Sequence, residues 1–256
     1  MSTQFLIQSS DPSLLEQAAQ VAKEFAQQYR SDEIVGIVFL GAIARGYFDQ
    51  SADIDIAFFN KHGSAVPLTT NYLKVQGFEI HCHFEDYDSD LQTLWDMSKR
   101  WTYSQRQIYY DPEGLISQLL QEKVPLQHEE KRWLLMSGLV LSEWYINRLT
   151  RLWVERGNLV SAHHMFIQGL NYFFDMLFAI NNQLVPDMKW RYYCVERLTR
   201  LPLNFHGRIK EVLLVNALTV EEIDRRQRAF MEMWQEMVPL VEQEVNMPYD
   251  EFKELV

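Results

Sequence analysis

The chain has 256 residues, 47% of them hydrophobic and 13% aromatic, enough for one large core or two modest ones and too many for a disordered polymer. Its 24 basic and 35 acidic residues give a formal charge of -11, which argues against a nonspecific duplex-DNA binder and leaves a cationic small substrate, or plain solubility, as the use of the acidic surface. Two cysteines, Cys82 and Cys194, make no disulfide framework, the first ten residues lack a basic segment followed by an apolar run, and no stretch is long and apolar enough to span a bilayer, so a cytoplasmic setting without a membrane is expected.

In chain order, Asp11 to Tyr29 has apolar residues at helical spacing behind an Asp-Pro start, and predicts an amphipathic helix. Ile34 to Leu40 is a short β-branched run and predicts a buried strand, ended by Gly41. Ala42 to Tyr47 reads as a tight turn into a short helix, and Ile54 to Phe59 as a second strand. Phe78 to Phe84 alternates strictly, with Phe78, Ile80, Cys82 and Phe84 on one face and Glu79, His81, His83 and Glu85 on the other. Asp88 to Arg100 predicts one helix, Gln107 to Tyr110 a closing strand, and Leu115 to Gln121 a further short helix.

The character changes near Pro125. Beyond it no strand is expected, and Glu129 to Glu155, Ser161 to Asn181, Met188 to Leu201 and Val220 to Val245 predict helices punctuated by Gly157, Pro186, Pro202 and Gly207. The expected fold class is α+β: a small mixed-sheet domain over residues 1–122, then an all-helical bundle domain over 128–256.

The chemistry concentrates in Phe39-Leu40-Gly41-Ala42-Ile43-Ala44-Arg45-Gly46 and in Ser51-Ala52-Asp53-Ile54-Asp55-Ile56. A strand that ends in glycine and opens a helix aims backbone N–H groups at one point and suits phosphate. Asp53 and Asp55, two apart on a strand, project from one face while Ile54 and Ile56 enter the core. Paired carboxylates beside a phosphate cradle suit Mg²⁺ and in-line phosphoryl or nucleotidyl transfer.

This segment resembles the nucleotidyltransferase signature of the DNA-polymerase-β superfamily, Gly-Ser-x-Ala-Arg-Gly followed by Ser-Asp-x-Asp on the next strand. The resemblance implies that Asp53 and Asp55 bind Mg²⁺ and that Gly41, with the adjacent backbone of Ala42, holds the phosphates of ATP or another nucleoside triphosphate. Arg45 is carried as a phosphate contact, with stiffening of the turn as its structural alternative. A third carboxylate belongs on a later strand, and Glu79 is the choice for it, as metal ligand or general base, with Glu85 a weaker substitute. His81 and His83 share that face, but without a cysteine or third ligand at conventional spacing they do not compel a zinc reading. A fainter likeness, around Pro186-Asp187-Met188-Lys189-Trp190, makes Lys189 a triphosphate contact. Glu143, Asp175 and Glu196 are weaker acceptor-binding candidates.

Two departures stand out, for alanine occupies positions 42 and 52 where the pattern carries serine. The resulting expectation is a Mg²⁺-dependent adenylyltransferase-like enzyme that moves a nucleoside monophosphate to a hydroxyl of a small, cationic molecule or of a protein, nucleic acid being disfavoured by the charge. The alternative is a nucleotide-binding sensor of the same fold. A third reading makes the Trp- and Phe-rich second half an interaction surface, such as a homodimer interface.

Overall fold

In the computed structural model of the protein, which describes residues 5–64 and 70–256, the chain divides into two compact units, Met1–Pro125 and Leu126–Val256.

The first unit is mixed α/β. Helix α1 (Pro12–Gln27) starts where the Asp11 carboxylate accepts from the backbone N–H groups of Ser13 and Leu14, with Pro12 in the first turn where its missing N–H costs nothing. Strand β1 (Ile34–Phe39) is buried along its whole length, helix α2 (Gly41–Arg45) follows at once, and β2 (Ile54–Asn60) returns antiparallel to β1. Strands β3 (Tyr72–Val75) and β4 (Phe78–Asp86) form a hairpin around Gln76 and Gly77, both at positive φ as such a turn requires. Helices α3 (Tyr87–Gln92) and α4 (Met97–Ser104), strand β5 (Gln107–Tyr110) and helix α5 (Leu115–Lys123) complete the unit. The sheet order is β3-β4-β2-β1-β5, and only β2 and β4 run parallel.

The two faces of β2 have different environments. Phe58, on the face of Ile54 and Ile56, packs edge-on against Tyr29 just after α1 and stacks on Phe84. Phe59, on the face of Asp55 and Ala57, packs against Tyr103 of α4. That end of the second face is closed by an ion cluster. Lys99 Nζ lies 2.7 Å from Glu85 and 2.6 Å from Asp90, Tyr103 donates to Glu85 at 2.9 Å, and Trp95 donates to Asp90 at 2.9 Å. Burial raises the Asp90 carboxyl above its ordinary value despite Lys99.

The second unit is helical. Helix α6 (His128–Glu143) runs through a π-helical turn (Trp144–Leu149) into α7 (Thr150–Glu155). The wider turn is matched by its surroundings: Gln227 donates to the Ile146 carbonyl at 2.5 Å, Thr150 Oγ1 donates to that of Tyr145 at 2.9 Å, and Gly169 leaves room for Ile146. Helix α8 (Leu159–Ile180) packs along α6, where a Cβ on Gly138 would meet the Tyr172 carbonyl at 2.7 Å. Then come a 3-10 turn (Met188–Trp190), α9 (Arg191–Val195), α10 (Phe205–Leu213), α11 (Val220–Val245) and α12 (Tyr249–Phe252). No helix among the described residues is long and apolar enough to cross a membrane.

Several local expectations are corrected. Asp88 to Arg100 is two helices, because Asp86 caps α3 and Asp96 caps α4 through Lys99 N at 2.7 Å. The helix expected over Met188 to Leu201 ends at Val195. The Asn181 side chain then holds the following loop, accepting from Thr199 N and Arg200 N and donating to the Arg200 carbonyl at 2.9 Å. Strand β3 and helices α10 and α12 were not expected. The edge strand is four residues, Tyr72-Leu73-Lys74-Val75, too short a run to stand out.

Gly36 shows how closely β1 is packed. A Cβ there would overlap Ile116 and come within 2.8 Å of the Tyr110 carbonyl, a backbone atom that cannot swing aside. Gly36→Ala is expected to lower the unfolding free energy by about 1–3 kcal/mol, visible as a reduced thermal midpoint, whereas an unchanged midpoint contradicts this packing.

Candidate functional site

The site is assembled where β1 ends. The chain leaves Phe39, its Leu40 N–H donates to the Asp55 carbonyl at 3.0 Å, and Gly41 turns at φ +57 into α2. Helix α2 begins without a side-chain cap and ends in left-handed Gly46. Gly41 is required twice over. Its φ disfavours any L side chain, and a Cβ on it would overlap Oδ2 of Asp55. The glycine and the second aspartate of the pair are therefore packed backbone to carboxylate.

Asp53 and Asp55 are both half-buried, Asp53 just before β2 and Asp55 its second residue. The parallel register sets Asp55 beside His81 and Ala57 beside His83. Asp55 Oδ1 consequently faces two imidazoles, His81 Nδ1 at 3.4 Å and His83 Nε2 at 3.2 Å. The two rings lie 4.2 Å apart, and Tyr72, across the hairpin from His81, stacks on it at 4.2 Å with an interplanar angle of 9°. Burial and the neighbouring His83 lower the His81 pKa, against the opposite pull of Asp55 and Asp53.

The remaining expected residues are distributed as follows. Ala42 is buried behind Gly41. Arg45 is buried too, its guanidinium 4.5 Å above the Trp101 ring and 5.5 Å from that of Phe5, so its contacts with these rings stiffen the turn. Glu79 stands exposed on β4 opposite Lys74, and Glu85 is held in the Lys99 cluster. On β4, Asp55 meets histidine, while Glu79 stands one residue before the Ile54–Ile80 pair, level with Asp53. Asp55, His81 and His83 are the group, among the described residues, whose ligand atoms lie within 4.8 Å of one another.

That donor set bears on the cation. The Asp53–Asp55 pair offers hard oxygens of the kind that suit a Mg²⁺-bound triphosphate, whereas the imidazole nitrogens beside Asp55 are donors Mg²⁺ does not favour. The residues thus fit a hard cation at the pair.

In the second unit, Lys189 is exposed on the 3-10 turn, Glu143 accepts from Asn147 at 3.0 Å, and Glu196 accepts from Tyr192 at 3.1 Å. Asp175 is paired with Arg191 at 2.9 Å, and its pKa is pushed up to about 6 by burial, with Arg191 opposing.

No protein-family model matches the chain, and no curated protein does. Among solved structures, the crystal structure of a nucleotidyltransferase-like protein from Exiguobacterium sibiricum 255-15 is similar, with a TM-score of 0.50 and 13% identity over 91% of this chain and 78% of that one. The likeness is one of fold, and it agrees with the mixed sheet and helical part described above.

Two outcomes follow. Gly41→Ala should displace the Asp55 carboxylate and destabilise the chain by about 1–2 kcal/mol through its left-handed φ, readable as a lowered thermal midpoint. An unshifted midpoint would contradict the packing. The Asp175 value in the folded chain lies above the unfolded ~3.9, so the folded state holds the extra proton between about pH 4 and 6 and loses stability as pH rises through that window, by up to ~3 kcal/mol. Thermal unfolding of the protein against Asp175→Asn across that range should show the decline only with the aspartate.

Proposed function

We propose that the first unit is a nucleotidyltransferase that transfers a nucleoside monophosphate from a Mg²⁺-bound nucleoside triphosphate, ATP first, to an acceptor hydroxyl and releases pyrophosphate. The observation that carries this reading is the contact between Gly41 and Asp55. The turn after β1 packs directly on Asp55 of β2, which supports a reading in which backbone N–H groups and carboxylates act on one ligand. The similar fold of the nucleotidyltransferase-like protein supports it.

In this reading, Asp53 and Asp55 receive the cation that accompanies the triphosphate, which when bound neutralises charge on the phosphate oxygens. The N–H groups at the start of α2 donate to phosphate oxygens, since the first turn of a helix has no internal acceptors for them. The acceptor oxygen attacks the α-phosphorus, its proton passes to a base, and the bond to the bridging oxygen breaks as pyrophosphate leaves. In this proposal Glu79, one residue before the Ile54–Ile80 pair on the strand beside β2, takes that proton. The acceptor we propose is a small cationic molecule or a protein, consistent with the charge of -11.

A nucleotide sensor is the second reading, favoured by one observation: alanine stands at both positions 42 and 52, removing two hydroxyls from the site. The two are separated by pyrophosphate release from each nucleoside triphosphate with Mg²⁺, with and without a panel of aminoglycosides, lincosamides and small proteins. Acceptor-dependent release that falls at least ~100-fold in Asp53→Asn is the expected result, equal to a loss of about 3 kcal/mol of transition-state stabilisation. Cation-dependent nucleotide binding without release, in the presence of every acceptor, supports the sensor instead. In the enzyme reading, Ala42→Ser should raise the rate about tenfold by restoring a hydrogen bond to a charged group.

A further inference from the structure

We propose that Asp55, His81 and His83 form a binding site for a divalent transition-metal ion of the zinc class, distinct in donor chemistry from the hard-cation pair Asp53–Asp55. The inference deepens the reading above and rests on it only for the purpose of the site, since the ion is expected to bind with or without nucleotide.

Three observations carry it. The first is convergence. Two imidazole nitrogens from one strand and one carboxylate oxygen from its neighbour lie within 4.8 Å of one another. Two ligands held 2.0–2.1 Å from a tetrahedral zinc stand about 3.3–3.4 Å apart. The His81 and His83 nitrogens are 3.4 and 3.2 Å from Asp55 Oδ1, so one edge already has that length and a second is close to it.

The second is donor type. Two histidines and one carboxylate, with a position left for a non-protein ligand, is a set that zinc and its transition-metal neighbours prefer and Mg²⁺ does not. The third is support. The Tyr72 ring covers one face of His81 and fixes its plane, Gly41 backs Asp55 on the side away from the imidazoles, and Ala57 is the small register partner of His83. Ligands held by such outer contacts lose little freedom on binding.

The arrangement follows from sheet register. Alternation puts His81 and His83 on one face of β4, and parallel pairing sets Asp55 against the first of them. A slip of one residue would turn both imidazoles to the apolar side and bring Cys82 to the polar one.

The test uses the untagged full chain, stripped by a chelator and titrated with Co²⁺ alone and then Zn²⁺ alone, without nucleotide. Expected is stoichiometric Co²⁺ binding with visible absorption bands of nitrogen coordination, displaced by Zn²⁺ and retained in a large excess of Mg²⁺. His81→Ala and His83→Ala should each weaken the affinity at least tenfold, and Asp53→Asn should leave it unchanged. Imidazole nitrogen resonances of the unsubstituted chain give a readout free of any folding defect, for Zn²⁺ should shift two of the seven histidines. No saturable binding, no shifted histidine, or binding that survives both histidine substitutions would overturn the proposal. Failure of transfer with metal binding intact would count against the enzyme reading and not against this site.

Discussion

Asp55 sits where three separate constraints meet. Its backbone carbonyl takes the Leu40 N–H, its Oδ2 occupies the space that a side chain at position 41 would need, and its Oδ1 faces two histidines. The first two ties join β1 to β2, and the third joins β2 to β4. The geometry of the candidate site is therefore a property of the sheet and not of a loop, which is the more rigid way to hold a chemical group.

The same face of the sheet shows why the site lies at this end. Toward Asp86 the polar side of β4 is committed to structure, with Glu85 paired to Lys99 and hydrogen-bonded to Tyr103 while Phe59 packs on Tyr103. Removing one partner from a half-buried cluster of this kind leaves a charge without compensation, so these groups are not free for catalysis. Toward Phe78 the face opens, leaving Asp53, Asp55, His81 and His83 half-buried and polar. Glu79, exposed on the same face, lies one residue before the Ile54–Ile80 pair, at the Asp53 end of β2.

Much of the architecture was legible from spacing. Asp11-Pro12, the β-branched run at Ile34, and the alternation of Phe78 to Phe84 each produced the expected element, and α11 runs over the expected Val220 to Val245. The strand-turn-helix at Gly41 was legible too, because the motif combines an apolar run with its punctuation. Less local features were missed. That His81 and His83 stand against Asp55 depends on pairing register, which sets His81 beside Asp55 and brings Glu79, one residue before the Ile54–Ile80 pair, level with Asp53. Alternation gives the face of a strand but not the residue across from it. The division of Asp88 to Arg100 was missed for a local reason, since the Asp96 cap is hidden within a sequence of helical composition.

The central claim is that the group transferred at Asp53 and Asp55 is a nucleotidyl group. Its most direct measurement follows label from nucleoside triphosphate carrying radioactive phosphorus at either the α or the γ position, incubated with Mg²⁺ and acceptor and resolved by chromatography. The account predicts α-label on the acceptor and γ-label only in pyrophosphate. Transfer of γ-label to the acceptor, with α-label retained in a nucleoside diphosphate, would make the site a kinase and contradict it.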